Sequence, residues 1–221
     1  MPFYDQLVRE TTAQRQALIE VPQLQAGLAG RISRAAYIDY LTQAYHHVRH
    51  TVPLLRLARQ KLEGNTLFCA ALDDYIAEES GHEQWILNDI AAAGGDRHAA
   101  AMSEPGLATA AMVRHAYERV GQGNPASLFG MVFVLEGTSV AMASRGAASI
   151  QRSLGLPDRA FTYLTSHGAL DQEHLRFFAT LMDRVDDAAD QQAIIGMARD
   201  MYGLFADMFR GIDLEVRDAA A

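Results

Sequence analysis

In "HGALDQEHLRFF", His167 to Phe178, three side chains stand at spacings a metal ion could use. His167, Asp171 and His174 lie at i, i+4 and i+7, within about 60° of one another on a helix. Two imidazoles and a carboxylate are the deprotonated nitrogen and oxygen donors that first-row metals take. A plainer reading stays open, in which Asp171 pairs with either histidine at a helix surface. One helix does not close a coordination sphere, so other segments must contribute. Glu136 interrupts "FGMVFVLEGTSVAMA", an apolar run in which a carboxylate is costly to bury unless paired or metal-bound. A salt bridge to Arg145 or Arg49 is the competing account. In "AEESGHEQW", Glu79 and His82 form Glu-x-x-His, expected on one helical face, and Glu78 lies one turn before His82. Glu-x-x-His supplies a carboxylate and an imidazole to metals in helical bundles. The combined inventory is three histidines and three carboxylates on three segments, a set suited to two metals with open positions.

The elements that must position these groups read as helices throughout. Ala, Leu, Met, Gln, Glu and Arg dominate, apolar positions recur every three to four residues, and strand signals are nearly absent. Breakers divide the chain into about seven helices. The first covers Phe3 to Glu20 and is stopped by Pro22. The next is capped by Ser33, covers "RAAYIDYLTQAYHHVRHTV" and restarts at Pro53. A long helix starts at Asn65 or Thr66 and runs unbroken through both Glu79 and His82 to Gly94 and Gly95. A shorter one spans Leu107 to Val120. Three more follow: "SLFGMVFVLEGTSVAMASRGAASIQRSLG", "DRAFTYLTSHGALDQEHLRFFATLMDRV" and "DAADQQAIIGMARDMYGLFADMFRGIDLEVRD". Gly130 and Gly137 would let a backbone or a substrate come close. The expectation is one all-α, multi-helix domain over residues 1–221, with "DAAA" frayed.

Bulk properties narrow the function classes. A net charge of −8 without a basic stripe argues against nucleic acid as a partner. No apolar run approaches the ~20 residues of a membrane span, and "MPFYDQLVRETT" lacks the marks of a signal peptide. A single cysteine, Cys69, excludes an internal disulfide framework and suits a reducing cytoplasm. A cytoplasmic protein with no membrane partner is the expectation.

"LFGMVFVLEGTS", followed in the next helix by "HGALDQEH", resembles the heme-oxygenase-like superfamily. Within it, the match is nearest to the non-heme iron branch, the heme-oxygenase-like dimetal oxidases. "YIDYLTQAYHHVRHTVPLL" is similar to the superfamily's second-helix region, so the resemblance spans most of the chain. It implies a heme-oxygenase-like bundle holding two iron ions, with manganese as a substitute. The implied metal ligands are Glu79, His82, Glu136, His167, Asp171 and His174, with Glu78 as second choice for the first carboxylate. Some relatives place that carboxylate seven residues before the histidine, where this chain has Tyr75. The implied reaction is oxidation of a small organic substrate by dioxygen, and the fold carries an expectation of a homodimer.

Sister branches remain as alternatives. The axial histidine of heme oxygenases falls in a context similar to "RETTAQRQALIE", where this chain has Gln16, so no heme is expected. Thiaminase-type (TenA) relatives use a nucleophilic cysteine, whereas Cys69 reads as a small core residue. A metal-free TenA- or PqqC-like enzyme, and a non-catalytic helical ligand-binding protein, stay open beside the di-iron reading. His46, His50 and Arg49 are candidate pocket residues or surface groups, as is Tyr75. "MYGLFADMF" in the last helix has core spacing, with a pocket wall as its second reading.

Overall fold

Side chains that accept hydrogen bonds from otherwise unsatisfied backbone N–H groups set several of the helix starts. Ser33 Oγ accepts from the Ala36 N–H at 3.0 Å, and Asn65 Oδ1 from Phe68 at 3.1 Å. Asp96 accepts from His98 and Ala99, and Asp187 from Ala189 and Asp190. The computed structural model describes residues 1–215, with the side chains of residues 167–174 outside that description. The expected fraying of "DAAA" also lies outside it.

The helices in chain order are α1 Phe3–Glu10, α2 Thr12–Ile19, α3 Pro22–Leu28, α4 Arg34–Val48, α5 Thr51–Lys61 and α6 Thr66–Glu79. They continue as α7 His82–Ala92, α8 Arg97–Met102, α9 Leu107–Gln122, α10 Leu128–Leu154, α11 Thr162–Met182 and α12 Ala188–Arg210. No strand occurs among the described residues, so the all-α class expected from composition is the class observed.

The elements differ from the sequence reading in five places. The restart expected at Pro53 comes earlier, since α4 ends at Val48 and α5 begins at Thr51 with Pro53 in its first turn. Pro22 does not merely stop the first helix but occupies the first turn of α3, where its missing N–H costs nothing. Thr11 divides α1 from α2, its hydroxyl bonded back to the Leu7 carbonyl at 2.7 Å. The short α8, capped by Asp96, was not expected at all. Above all, the long helix through Glu79 and His82 is two helices. Ser80 leaves helical geometry at ψ 114°, and Gly81 takes the left-handed conformation at φ 95°. A β-carbon on Gly81 would meet no atom within 4 Å, so glycine is required there by backbone strain alone.

α10 is the axis of the molecule. Its 27 residues span about 40 Å, and it packs on α3, α9, α11 and α12. By length and composition it could cross a membrane, yet its apolar face is the inside of this bundle. Gly130 permits the tightest contact: its β-carbon position lies 2.3 Å from the Ile194 carbonyl oxygen and 2.8 Å from the Ala198 nitrogen. Only a residue without a β-carbon lets the α10 and α12 backbones touch. Gly137, by contrast, has no neighbour of that kind within 4 Å.

Two apolar clusters flank the axis. The larger joins α1, α5, α6, α9, α10, α11 and α12 around Phe68, Phe129, Phe133, Phe178 and Met201. Each such side chain, fully buried, contributes about 1.5–3 kcal/mol. The smaller joins α4, α7 and the start of α11 around Tyr37, Leu41, Ile86 and Phe161. Cys69 is buried, with its Sγ 3.1 Å from the Leu62 carbonyl oxygen, which makes it a core residue.

Candidate functional site

Tyr75 and Glu79 are one turn apart on the last part of α6, so both face the same way. That face meets α10 at Glu136, and the two helices border a cavity. His47 from α4, Thr51 from α5, Ser139 from α10 and Tyr163 from α11 complete its polar lining, and leucines, methionine and valines fill the rest. Among the described residues that line it there are two carboxylates and no lysine or arginine.

The Tyr75 hydroxyl stands against the Glu136 carboxylate. Burial, and then the charges of Glu136, Glu78 and Glu79, push its phenol far above the ordinary value. Tyr75 therefore keeps its proton at any physiological pH and acts as a donor to a carboxylate. Its ring meets Phe177 edge-on at 6.1 Å.

Glu79 and His82 do come together, but not along one helical face as the sequence reading had them. The chain turns through Ser80 and left-handed Gly81, and His82 begins α7 with its Nδ1 3.1 Å from Glu79 Oε2. Both side chains are nearly buried, at 8% and 14% exposure, and the imidazole stacks on Trp85 at 4.1 Å. A carboxylate on Nδ1 selects the tautomer that leaves the lone pair on Nε2, the form in which imidazole ligates metals. Glu78, the second choice for this carboxylate, is exposed.

The remaining expected ligands, His167, Asp171 and His174, fall on the stretch of α11 whose side chains lie outside the described residues. Tyr163, one turn before His167, lines the carboxylate cavity. Among the described residues, no group of three or more His, Cys, Asp or Glu side chains is placed to hold a metal ion. Glu79, His82 and Glu136 supply donors of the right chemical type, and the set is completed only if α11 contributes.

Arg145 and Arg49, the alternative partners considered for Glu136, both occupy exposed positions, and the Arg49 guanidinium lies 5.4 Å over the Tyr45 ring. The histidines proposed with Arg49 for the pocket serve elsewhere. His46 Nε2 is 2.9 Å from Ser103 Oγ, and His50 Nδ1 is 3.2 Å from the Tyr117 hydroxyl. These contacts tie α4 to the segment after α8, and the turn between α4 and α5 to α9. Neither residue lines the cavity, and burial followed by the Arg49 charge lowers both imidazole pKa values. The α4 imidazole that does line it is His47, which is buried. A signal for it was present: Ala36, Tyr40 and His47 share a helical face, at i, i+4 and i+11.

A second residue absent from the sequence reading is Asp89, on α7 two turns after His82. It is fully buried and accepts a hydrogen bond from the Tyr163 N–H at 2.8 Å and another from the Thr162 hydroxyl. Burial raises its carboxyl pKa, and these hydrogen bonds partly oppose the shift. Asp89 thus fixes the first turn of α11, the helix that carries His167, Asp171 and His174. The clue that exposed Glu136, an acid inside an apolar helix, also marks Asp89 in "WILNDIAAA".

A larger cavity adjoins the first and shares His47, Leu135, Ser139 and Tyr163 with it. α3, α4, α10, α11 and α12 form its walls, with Leu24, Leu28, Met142, Phe205 and Phe209 among them. No charged side chain lines it among the described residues. Phe205 and Phe209 make one side of "MYGLFADMF" a pocket wall, while Met201, Tyr202 and Met208 belong to the core.

Residues 38–206 match the profile of a family described as iron-containing redox enzymes. No curated protein matches the chain. Among solved structures, a protein of unknown function with a heme oxygenase-like fold from Shewanella denitrificans superposes with a TM-score of 0.84 at 22% identity, covering 94% of this chain and 90% of its own. A TenA homolog from Pseudomonas syringae gives 0.76 at 14% identity, covering 93% and 90%. Heme oxygenase-1 from the cyanobacterium Synechocystis, in complex with heme, gives 0.75 at 14%, covering 95% and 91%. At these identities the structures establish the heme oxygenase-like fold.

Proposed function

This chain belongs to the iron-containing redox enzyme family, and we propose that it is a non-heme di-iron oxidase acting on a small organic substrate with dioxygen. The observation that carries the reading is the convergence of Glu79 and Glu136 on one cavity, with His82 held on Glu79. Glu79, His82 and Glu136 would hold the metals together with His167, Asp171 and His174, which the resemblance supplies. Manganese suits the same donors. A carboxylate has about four lone-pair sites, so orienting His82 does not prevent Glu79 from ligating as well. Ferrous iron, when bound, supplies the electrons and the binding position that dioxygen requires.

The chain's own groups then have distinct tasks. Glu79 fixes the His82 tautomer. Tyr75 keeps a proton at its phenol oxygen and presents it to Glu136. The leucines, methionine and valines of the lining keep bulk water away from the carboxylates. The larger cavity offers no arginine or lysine for heme propionates, and His47 is the one imidazole among its described lining residues. Gln16, at the position similar to a heme ligand, is exposed and bonded to Glu20 at 2.8 Å. Both observations support the non-heme reading. Free, buried Cys69 needs no oxidising compartment, which is consistent with a cytoplasmic setting.

A metal-free enzyme draws on one observation: the buried polar groups pair with each other, Glu79 with His82 and Glu136 with Tyr75. Metal analysis separates the two readings. Protein produced with iron, or loaded anaerobically, should hold iron or manganese near stoichiometry, and Glu136→Ala should hold little. Only trace metal in the native protein after loading, with activity that survives chelators and His167→Ala, overturns the di-iron reading.

A further inference from the structure

The larger cavity is long as well as apolar. Leu135, Ser139, Met142, Ala143, Gly146 and Ile150 all line it from α10. Apart from the adjacent Met142 and Ala143, their spacings of three and four residues make one stripe along that helix, about 22 Å from end to end at 1.5 Å per residue. The same stripe continues backwards through Val132 and Leu128 into the carboxylate cavity. The two spaces are neighbours along α10 and are lined in common by His47, Leu135, Ser139 and Tyr163, so we treat them as successive parts of one passage. Small residues keep the apolar part open. Ala143 and Gly146 lie on α10 and Gly27 on α3, and a β-carbon at Gly27 would come no closer than 3.9 Å to Ile150 Cδ1.

We propose that this chamber binds the hydrocarbon chain of the substrate, an amphiphile with a linear alkyl tail and a small polar head. This assignment rests on the reading of the carboxylate cavity as the place of reaction, which the head would reach past His47 and Tyr163. A space some 22 Å long, with no charged side chain among its described lining residues, selects for length and against charge along the tail. A compact polar substrate would leave the whole chamber without a function.

The test uses the full-length, iron-free protein and a series of n-alkanols from hexanol to hexadecanol, with binding measured by calorimetry. Affinity should rise about fourfold with each added methylene. Ala143→Phe, near the middle of the stripe, should end the rise at a shorter alkanol. Ile150→Phe, about 10 Å further along, should end it at a longer one. The two cut-offs must differ in that order, which general destabilisation would not produce. If one variant fails to fold, the native series and the other variant still decide. Affinity that is flat with chain length, or a rise that both folded variants leave unchanged, overturns the proposal. Since iron is absent throughout, chain-length dependence in a protein that never takes up iron sustains the chamber while removing the oxidase. Iron uptake with a flat series does the reverse.

Discussion

The two cavities share four residues and one face of α10, yet their chemistry is opposite. One holds Glu79, Glu136 and Tyr75, and the other has no charged side chain in its described lining. α10 alone does not explain the contrast, because its contribution is apolar or hydroxylic in both except at Glu136. Glu136 supplies one part of the difference, and what packs against α10 supplies the rest. Beside the carboxylate cavity, α6 reaches its last turn and delivers Tyr75 and Glu79. Beside the apolar one, α3 and α12 bring leucines and phenylalanines. One helix becomes two environments through a single acid and its neighbours, so the contrast should be breakable one residue at a time.

The largest effect is expected from Glu136→Leu, which would turn the acid cavity into an extension of the apolar one. Iron affinity should fall by about 100-fold or more, measured by metal titration, while alkanol binding persists. Retained iron would mean that Glu136 does not set the contrast. Asp89→Ala removes the acceptor for Tyr163 N–H and Thr162, and should cost about 1–3 kcal/mol in urea unfolding. Because Tyr163 belongs to both cavities, iron and alkanol affinity should weaken together. A loss confined to one of them would show that the junction is held by something else. Gly81→Ala has open space for its methyl group and strains only the backbone, so about 1–2 kcal/mol of stability should be lost. Its effect on binding should fall on the metal alone.

The smallest effect concerns α4 and the turn after it, where His46 and His50 anchor the helix that places His47 at the junction. Burial, then Arg49, lowers both folded pKa values below 6.5, with Glu104 opposing the shift at His46. The unfolded chain therefore binds these protons first. The stability they contribute is complete above pH 6.5 and declines as pH falls from there toward the folded values. Denaturant midpoints should drop over that interval, and should drop less when both histidines are replaced by glutamine.

Much of this was legible because it is local. Helix character follows from composition and period, and Ser33, Asn65 and Asp187 announce helix starts through side chains that act within three residues. Glu136 stood out because charge inside an apolar run is expensive wherever that run ends up. The break at Gly81 was hidden, since an isolated glycine in a periodic pattern is tolerated in many helices and only the partner packing decides. The choice of His47 over His46 and His50 depended on which way α4 rolls against α7 and α9. Three histidines within five residues point in different directions, and no local rule ranks them. Asp89 was missed for a different reason. Its N–H and hydroxyl partners on Thr162 and Tyr163 lie more than 70 residues away in sequence.

Gly130 has a mechanical consequence. Where its backbone meets Ile194 and Ala198, α10 and α12 have no gap through which to separate, so the crossing is a fulcrum. Any rocking of α12 against α10 is smallest there and grows with distance along the helix. Phe209 lies eleven residues beyond Ala198, about 16 Å along the lever. The wall of the larger cavity formed by Phe205 and Phe209 is thus the long arm. By geometry alone, a rotation of about 4° at that contact would displace Phe209 by about 1 Å.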